Sequence, residues 1–406
     1  MSLINSIDLH HLVQNIKSWA KALGFNDVGI SDIDLAKHEA ALQAWLDQRY
    51  YGSMEFFPQR GMMRARPAEL VPGTVRIIAV RMDYLPPNAA FAEHLANTKV
   101  GYISRYALGR DYHKVVRSKL KQLGQQIEHY LNDNTSNDDF AYRPFVDSAP
   151  ILEHAVAEKA GLGFTGKHSL TIHPEQGSWF FLGELFINLP LPVDQPLAAD
   201  CGTCSACISI CPTGAIVEPY VIDARKCISY LTIEHDGSID EVYRKAMGNR
   251  IYGCDDCQLV CPYNQYSELT TEADFHARPA LFGAELLDLF AWDEATFLSQ
   301  TEGSPIRRIG FAKWQRNISV ALGNTDYDPE NVQVLTHKLT CLTNHNFKAY
   351  GFSNEPNAAV QSMLHEHLTW ALAEQQQAQN KKPVTNRQQA RIVRIVAKGL
   401  PRDAYL

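Results

Sequence analysis

Eight of the nine cysteines in this 406-residue chain fall into two blocks whose spacing can bind iron–sulfur clusters. Each block ends in the pattern Cys-x-x-x-Cys-Pro, and the first begins with Cys-x-x-Cys-x-x-Cys. A [4Fe–4S] cluster needs four thiolates that converge on one small volume, and such a turn supplies three of them. The ligand candidates are Cys201, Cys204, Cys207 and Cys211 in the first block, Cys227 alone, and Cys254, Cys257 and Cys261 in the second. They predict two [4Fe–4S] clusters.

The same pattern occurs in two-cluster bacterial ferredoxins, where the cysteine before proline ligates the other cluster. Here the cysteines before proline are Cys211 and Cys261. The rule predicts cluster 1 on Cys201, Cys204, Cys207 and Cys261, and cluster 2 on Cys211, Cys227, Cys254 and Cys257. We expect these segments to form a ferredoxin-like two-cluster domain over residues 196–270.

Zinc binding is the main alternative, because Cys-x-x-Cys pairs also hold tetrahedral zinc. A zinc ribbon uses two such pairs and four ligands, whereas eight cysteines with two Cys-Pro endings favour clusters. Disulfide bonds are disfavoured because the N-terminal residues lack the basic and apolar segments of a secretion signal, so we expect a cytoplasmic protein. Cys341 is left over, and we expect it to be a small buried apolar side chain.

The residues before position 200 must supply the elements that accompany the clusters. Apolar spacing predicts a first helix from about residue 9 to 23, with Asp8 or Ser6 as its cap and Gly24 as its end. A second helix is predicted over 34–48 and a long one over 115–131, with strands over 75–82 and 178–188. We predict an α/β or α+β domain with a mainly buried sheet over residues 1–195.

Beyond Pro262 the pattern is helical, and we predict an all-α region over residues 271–406. Helical spacing is found over 280–289, 314–322 and 365–374, and 375–383 reads as a solvated linker. A final basic helix follows, with Arg387, Arg391, Arg394 and Lys398 between apolar residues. A docked amphipathic helix with a solvated face is favoured there over a tRNA contact.

Charge and motifs limit the possible partners. The formal net charge of −7 does not by itself indicate nucleic-acid binding. Local basic patches are compatible with this net charge. No apolar run approaches about 18 residues, so we expect no membrane span. The dinucleotide fingerprint, the P-loop and the Cys-x-x-Cys-His haem site are absent.

Six segments together resemble the epoxyqueuosine reductases. They are residues 64–73 (RARPAELVPG), 102–113 (YISRYALGRDYH), 142–150 (YRPFVDSAP), 157–169 (AEKAGLGFTGKHS), 303–310 (GSPIRRIG) and 316–324 (RNISVALGN). The resemblance runs from the first helix to residues 399–404 and includes the cysteine blocks. Matches of this length and distribution are highly specific.

The resemblance implies a cobalamin-dependent iron–sulfur enzyme that completes queuosine synthesis in tRNA. The family reduces epoxyqueuosine, at the wobble position of the anticodon, to queuosine. Its N-terminal domain is nitroreductase-like and holds base-off cobalamin, and its electrons come from an external low-potential donor. In some relatives the C-terminal part is a HEAT-like helical-repeat module, and we expect that region to face the tRNA.

Asp147 matches the family's general acid. Removal of an epoxide oxygen as water needs two electrons and two protons, and this carboxyl would protonate the oxygen. The alternative is helix capping, because Asp147 follows a predicted strand and precedes Ser148 and Pro150. A helix N-terminus would lower the pKa of Asp147, whereas burial against the corrin would raise it.

The resemblance also implies residues near the corrin, although each has a structural alternative as a surface charge, loop residue or cap. These candidates are Arg64, Tyr106, Asp147, His154, Ser169, Thr171, His173 and Ser229. His154 stands where an arginine is expected in this family, so any contact that it makes would depend on pH.

Basic and aromatic residues in two segments are candidates for tRNA contact, with ordinary solvated faces as the alternative. The cationic candidates are Arg105, Arg110, His113, Lys114, Arg117 and Lys121 in one segment, and Arg307, Arg308, Lys313 and Arg316 in the other. Tyr106, Tyr112 or Trp314 could stack on an anticodon base.

Two other functions stay open at this point. A related cobalamin reductase could act on a small molecule, as reductive dehalogenases do, but these usually carry an export signal. A ferredoxin-type electron carrier would not need some 200 residues before its clusters. A carrier would also bind neither cobalamin nor tRNA.

Overall fold

A four-stranded sheet forms the centre of the first part of the chain. The computed structural model describes residues 8–134, 139–380 and 387–399. The strand order in this sheet is β1-β2-β7-β4, and every neighbouring pair is antiparallel. The strands of the chain are β1 Asp27–Ser31, β2 Arg76–Asp83, β3 Tyr102–Ile103, β4 Tyr142–Phe145, β5 Phe164–Thr165, β6 Thr171–Ile172, β7 Phe180–Ile187, β8 Ile216–Glu218, β9 Val221–Ile222 and β10 Arg250–Tyr252. The antiparallel sheet makes this part α+β, which confirms one of the two predicted classes, whereas the α/β alternative was wrong in its topology.

Helices cover both faces of the sheet. The helices of this part are α1 Leu9–Ala22, α2 Glu39–Asp47, α3 Phe56–Arg60, α4 Pro67–Leu70, α5 Phe91–Ala96, α6 Tyr112–Asn134 and α7 Glu153–Lys159. Ile78 and Val80 share a core with α1 and α6, whereas Ile77 and Ala79 share another with α7. Alternate residues of β2 therefore face opposite layers, which confirms that the sheet is mainly buried.

The sequence signals at the element ends explain several of these bounds. The Asp8 carboxylate accepts the backbone N–H groups of His10 and His11, which confirms it as the N-cap of α1. The predicted second helix begins as a 3₁₀ turn over Ala36–His38 and continues as α2. Gly29 allows β1 and α7 to approach closely, because a Cβ atom there would lie 1.9 Å from the Ala160 carbonyl oxygen.

The cysteine-bearing part is built from short elements. Its helices are α8 Ala206–Ile210, α9 Ile228–Ile233, α10 Glu241–Met247 and α11 Asp256–Leu259. It is joined to the first part by a parallel pairing of β10 with β3, in which Arg250 lies opposite Tyr102. The remaining 3₁₀ turns are Gly61–Ala65, Arg105–Ala107, Ala224–Lys226, Pro262–Tyr266, Ala273–Phe275 and Pro305–Ile309.

The described residues after Pro262 form helices and no strand, as expected. These helices are α12 Leu286–Ala291, α13 Glu294–Gln300, α14 Gly310–Gly323, α15 Pro329–Thr343, α16 Phe347–Tyr350, α17 Ala358–Gln379 and α18 Arg387–Gly399. The helix predicted over 280–289 is confined to α12. The linker prediction was wrong for residues 375–379, which belong to α17, where Gln375 is fully buried. Residues 381–383 and 400–404 lie outside the described residues.

The basic C-terminal helix docks through its apolar side. Ile392 and Val396 of α18 are 1% exposed and join the core that includes Leu95 of α5. Arg391 and Arg394 remain exposed. This confirms the prediction of a docked amphipathic helix with a solvated face. Within the described ranges, no helix combines the length and apolarity needed to cross a membrane.

Candidate active site

A cavity of about 370 Å³ lies between the sheet and the cysteine segments. We call it the central cavity. Its apolar lining includes Tyr84, Phe180, Phe181 and Leu182, from the end of β2 and the start of β7. Tyr112 of α6 stacks on Phe181 with ring centroids 4.1 Å apart. The cavity thus has a broad aromatic wall on the side of the sheet.

The cysteines assigned to cluster 2 all line the central cavity. These are Cys211, Cys227, Cys254 and Cys257, and none of the four assigned to cluster 1 belongs to the lining. Cys204 is exposed at the surface, whereas Cys207 and Cys261 are buried. The predicted pairing therefore orders the two clusters from the surface to the cavity.

The electrostatic interactions among the thiols divide the cysteines largely into the same two groups. The Cys261 thiol interacts with Cys201, Cys204 and Cys207, and the Cys227 thiol interacts with Cys211. Cys257 interacts with Cys227 and Cys211, and also with Cys207 across the division. These interactions support the predicted pairing.

In the part of the chain that the structure describes, no three His, Cys, Asp or Glu side chains are arranged to hold a single metal ion.

Burial changes the pKa of the cavity thiols, and a backbone N–H group donates to one of the sulfur atoms. Burial raises the pKa of Cys254 and Cys257 well above the ordinary thiol value. These groups become thiolates when a metal displaces their protons. The Ala215 N–H donates to Cys211 Sγ at 3.2 Å, the kind of bond that tunes a cluster's reduction potential.

Asp147 lies in the loop between β4 and α7 and lines the same cavity. Its φ of 53° is left-handed, a conformation that is uncommon outside glycine and is found more often at functional sites. The Tyr112 hydroxyl donates to Asp147 Oδ2, and His113 Nε2 lies 3.3 Å from the same oxygen. The N-cap of α7 is Leu152, so the capping alternative for Asp147 is wrong.

The charges around Asp147 favour an ion pair. The Asp147 side chain is 57% exposed, and its partial desolvation at the cavity acts to raise its pKa, but the hydrogen bonds with His113 and Tyr112 outweigh this and hold that pKa below its usual value. Burial acts to lower the pKa of His113, but its bonds with Asp111 and Asp147 raise it to about 9. At neutral pH the proton of this group therefore resides on His113.

The structure brings five of the eight predicted corrin neighbours to the central cavity. They are Tyr106, Asp147, His154, Thr171 and Ser229. His154 Nδ1 lies 2.8 Å from the Thr171 hydroxyl, and burial lowers the pKa of His154, so the ring is neutral at neutral pH.

The other three predicted corrin neighbours do not belong to the lining. The Arg64 guanidinium is buried 4.0 Å from the centre of the Phe57 ring. The Ser169 hydroxyl donates to the Tyr220 carbonyl oxygen at 3.1 Å. His173 Nδ1 accepts the backbone N–H of Glu175.

Sequence reasoning missed several residues of the site. His168 lines the cavity and is 1% exposed, and Glu153 lines it beside Asp147. Glu184 lies fully buried within β7. A glutamate within the apolar run FFLGELFI was a signal that could have identified it, because carboxylates are almost never fully buried without a partner.

Three predicted tRNA contacts were wrong because these side chains are internal. Arg105 is 1% exposed and donates to the carbonyl oxygens of Ala89 and Ile103. Arg316 and Trp314 are fully buried in α14. An arginine in a basic run can be buried when carbonyl oxygens accept hydrogen bonds from its guanidinium group.

Other candidates remain at the surface. Arg110, Lys114, Arg117 and Lys121 are exposed at the start of α6, close in sequence to His113. Arg307 and Arg308 are exposed, and Arg308 pairs with Glu234. Lys313 is paired with Asp236 at 2.8 Å and is mostly covered.

Comparisons with known proteins agree with this arrangement. The family model described as "Epoxyqueuosine reductase QueG, DUF1730" matches residues 64–148, and "4Fe-4S double cluster binding domain" matches residues 200–264. The epoxyqueuosine reductase of Escherichia coli K12 is 56% identical over 401 residues, 98% of this chain and 99% of the relative. The enzyme of Salmonella typhimurium LT2 is 55% identical over 400 residues, 98% of both chains.

A solved structure extends the match to three dimensions. A crystal structure of epoxyqueuosine reductase with an epoxyqueuosine-modified tRNA-Tyr stem loop matches with a TM-score of 0.77 and 26% identity. It covers 96% of this chain and 100% of that one. With more than half of its residues shared with these enzymes over nearly its whole length, the chain belongs to the epoxyqueuosine reductase family of oxidoreductases.

Proposed function

We propose that this chain reduces epoxyqueuosine to queuosine at the wobble position of tRNA in the cytoplasm. It would use base-off cobalamin in the central cavity, two [4Fe–4S] clusters and Asp147 as proton donor. The observation that carries the proposal is that Asp147 and all four cysteines assigned to cluster 2 line one cavity. A source of electrons and a source of protons thus share a single reaction space.

The work is divided among three regions. Residues 1–195 would form a nitroreductase-like cobalamin domain, residues 196–270 the ferredoxin-like cluster domain, and residues 271–406 a helical region facing the tRNA. An external low-potential donor would deliver electrons at cluster 1, because Cys204 is exposed while the cluster 2 cysteines line the cavity.

The residues present fit a large, mostly flat cofactor. Tyr84, Phe180 and Phe181 offer apolar surface to a ring system. His168 lines the cavity, and its buried Nε2 atom has no hydrogen-bond partner among the described residues, so a polar group of a bound cofactor would satisfy it. When bound, cobalamin would supply a strongly reducing metal centre for cleavage of the C–O bonds.

The chain itself handles the protons. His113 holds a proton at neutral pH and lies 3.3 Å from Asp147 Oδ2, and Asp111 holds the other ring nitrogen at 2.7 Å. Asp147 can pass this proton to an oxygen in the cavity as that oxygen becomes basic. The low pKa of Asp147 alone would make it a poor donor, and the paired imidazolium supplies the missing proton.

Binding of tRNA would bring the modified base to the mouth of the cavity. A relative of similar fold was crystallised with an epoxyqueuosine-modified tRNA stem loop. The exposed cations Arg110, Lys114, Arg117 and Lys121 stand on the segment that also positions His113. Phosphate contacts from these side chains would fix the anticodon loop beside Asp147.

Anaerobic turnover tests the proposal. Cluster-loaded protein with cobalamin and a strong reductant is given epoxyqueuosine-containing tRNA, and the nucleosides are analysed by mass spectrometry. We expect queuosine only with added cobalamin, and an Asp147→Asn variant should be slower by about 10²- to 10⁴-fold, the usual contribution of a general acid. The control is Asp133→Asn, an exposed carboxylate on α6.

Two outcomes would contradict the proposal. Untouched tRNA with iron and cobalt fully loaded would overturn it and favour a small-molecule reductase. Full activity of Asp147→Asn would remove the proton-donor assignment and leave the reductase function in place.

A further inference from the structure

Among the described residues, Glu184 is a buried carboxyl group with no cation beside it. Glu184 lies in the middle of β7, between Ala79 of β2 and Phe145 of β4, and is fully buried. Within the described residues, neither of its oxygens receives a hydrogen bond from an N–H group or a hydroxyl. A lone ionised carboxylate in such a place would cost several kcal/mol, on the order of the desolvation penalty for a buried ion.

The group that faces Glu184 is a second carboxyl. Glu153 is the first residue of α7, which packs on β7, and the two side chains are within hydrogen-bond reach of each other. Two ionised carboxylates are both acceptors and cannot bond. A hydrogen bond between them therefore requires a proton on one of the two.

The surroundings keep that proton in place. The charged and titratable groups that act on the pair from neighbouring elements are Asp147 in the loop, Tyr112 of α6 and Arg64 of the 3₁₀ turn. Burial raises the pKa of Glu184 to about 8, and burial together with repulsion from Glu184 and Asp147 raises that of Glu153 well above its usual value. The pair therefore holds at least one proton at neutral pH.

Glu153 connects the pair to the reaction space. It lines the central cavity, and its Oε1 atom accepts the backbone N–H of Asp147. This bond joins Glu153 to the backbone of Asp147, and the Glu153 side chain itself belongs to the cavity lining. Glu184 lies behind it, away from the cavity lining.

We propose that Glu153 and Glu184 share a proton and that Glu153 supplies it to the central cavity as the second proton of each turnover. The inference rests on the proposed function. In that reaction both C–O bonds of the epoxide break, two electrons from the external low-potential donor complete the new C=C bond, and the oxygen leaves as water with two protons. The Asp147–His113 group holds one of these protons, and the carboxyl pair holds the other.

The driving force is the basicity of the released oxygen. Once Asp147 has given up its first proton, the oxygen in the cavity still requires another to leave as water. Transfer from a buried carboxyl to a hydroxide-like oxygen is favourable even when transfer to a resting Asp147 is not. Solvent then restores the pair between turnovers.

Infrared spectroscopy tests the shared proton without any turnover. The cluster-loaded wild type at pH 7 should show the C=O stretch of a protonated carboxyl that shifts in Glu184→Gln and in Glu153→Gln and is lost when both substitutions are combined. The exposed Glu128→Gln, on α6, should leave this band unchanged. Absence of a protonated carboxyl in the wild type would overturn the proposal.

The pH profile of a single turnover tests the role of the proton. Glu184→Gln removes one carboxyl of the pair but keeps side-chain shape, and an uncharged amide suits a buried site, so the variant should fold. We expect an unchanged KM for tRNA and a rate constant about tenfold lower at pH 8 than the wild type. Near pH 6, where solvent protons are more abundant, the two should converge, and Glu184→Asp should recover part of the rate at pH 8.

The outcomes separate the two proposals. If the wild type converts tRNA and Glu184→Gln has the same pH profile, the shared-proton proposal is overturned and the proposed function stands. If the wild type leaves tRNA unchanged, the proposed function is overturned, and the shared-proton proposal, which depends on that reaction, is overturned as well.

Discussion

Replacement of Asn317 by alanine tests whether α14 holds the cluster 2 segments in place. Asn317 is fully buried, and its amide donates to the carbonyl oxygens of Thr232 at 2.8 Å and Ile251 at 2.9 Å. Thr232 belongs to α9, which begins directly after Cys227, and Ile251 belongs to β10, just before Cys254. One side chain therefore ties together two segments that bear cysteines assigned to cluster 2.

The magnitude follows from the carbonyl groups that the substitution leaves unpaired. A buried acceptor without its donor costs about 1–3 kcal/mol, so two of them cost about 2–6 kcal/mol. Ser319→Ala is the matched control, because Ser319 lies in the same helix, is equally buried and donates only to the Gln315 carbonyl oxygen of its own helix. We expect the control to cost about 1 kcal/mol.

Urea unfolding of the cluster-loaded proteins under anaerobic conditions measures the difference. Asn317→Ala should unfold at a clearly lower urea concentration than Ser319→Ala, and its visible cluster absorbance should begin to fall before global unfolding. Equal midpoints for the two variants would refute the assignment of Asn317 as a structural tie.

Two further predictions concern the clusters and the Asp147 ion pair. Cys257→Ala should bind roughly half of the wild-type iron, because one cluster loses a ligand, whereas Cys341→Ala should bind all of it. Iron analysis after reconstitution decides, and full iron in Cys257→Ala would contradict the assignment of Cys257 as a cluster ligand. The pKa of His113 is raised from 6.5 to about 9, so the stabilisation that it provides is complete below pH 6.5 and is lost as the pH rises through 9. The urea midpoint of His113→Gln should therefore lie below that of the wild type at pH 6 and meet it near pH 10, and a constant gap would show that His113 stabilises by packing alone.

Local sequence patterns predicted most of the elements well. The capping residue Asp8, the apolar spacing of α1 and α6, and the β-branched run of β2 are each determined within a few residues. The antiparallel order of the sheet was missed, because strand direction depends on how distant segments pair. The linker over 375–379 was missed because polar glutamines resemble solvated chain, although Gln375 donates to the carbonyl oxygens of Leu322 and Thr325.

The parts of the site that lie in one short segment could be predicted from the sequence. The parts that form when distant segments meet could not. Cysteine spacing and the Asp147 segment could be recognised in the chain itself. Arg316 was predicted to meet tRNA, yet its guanidinium donates to the carbonyl oxygens of Leu231, His235 and Gly237, which lie 79 to 85 residues away in sequence. Glu153 and Glu184 are also distant in sequence, in α7 and β7, so the local pattern around either residue does not reveal that they face each other.

The pairing of β3 with β10 limits how early this part of the molecule can form during translation. Tyr102 is made long before Arg250, its partner strand residue, and α18 closes on α5 only at the end of the chain. At 5–20 residues per second, β3 waits about 7–30 s for β10. We therefore expect the wall of the central cavity to form late, so that cofactors enter a finished polypeptide.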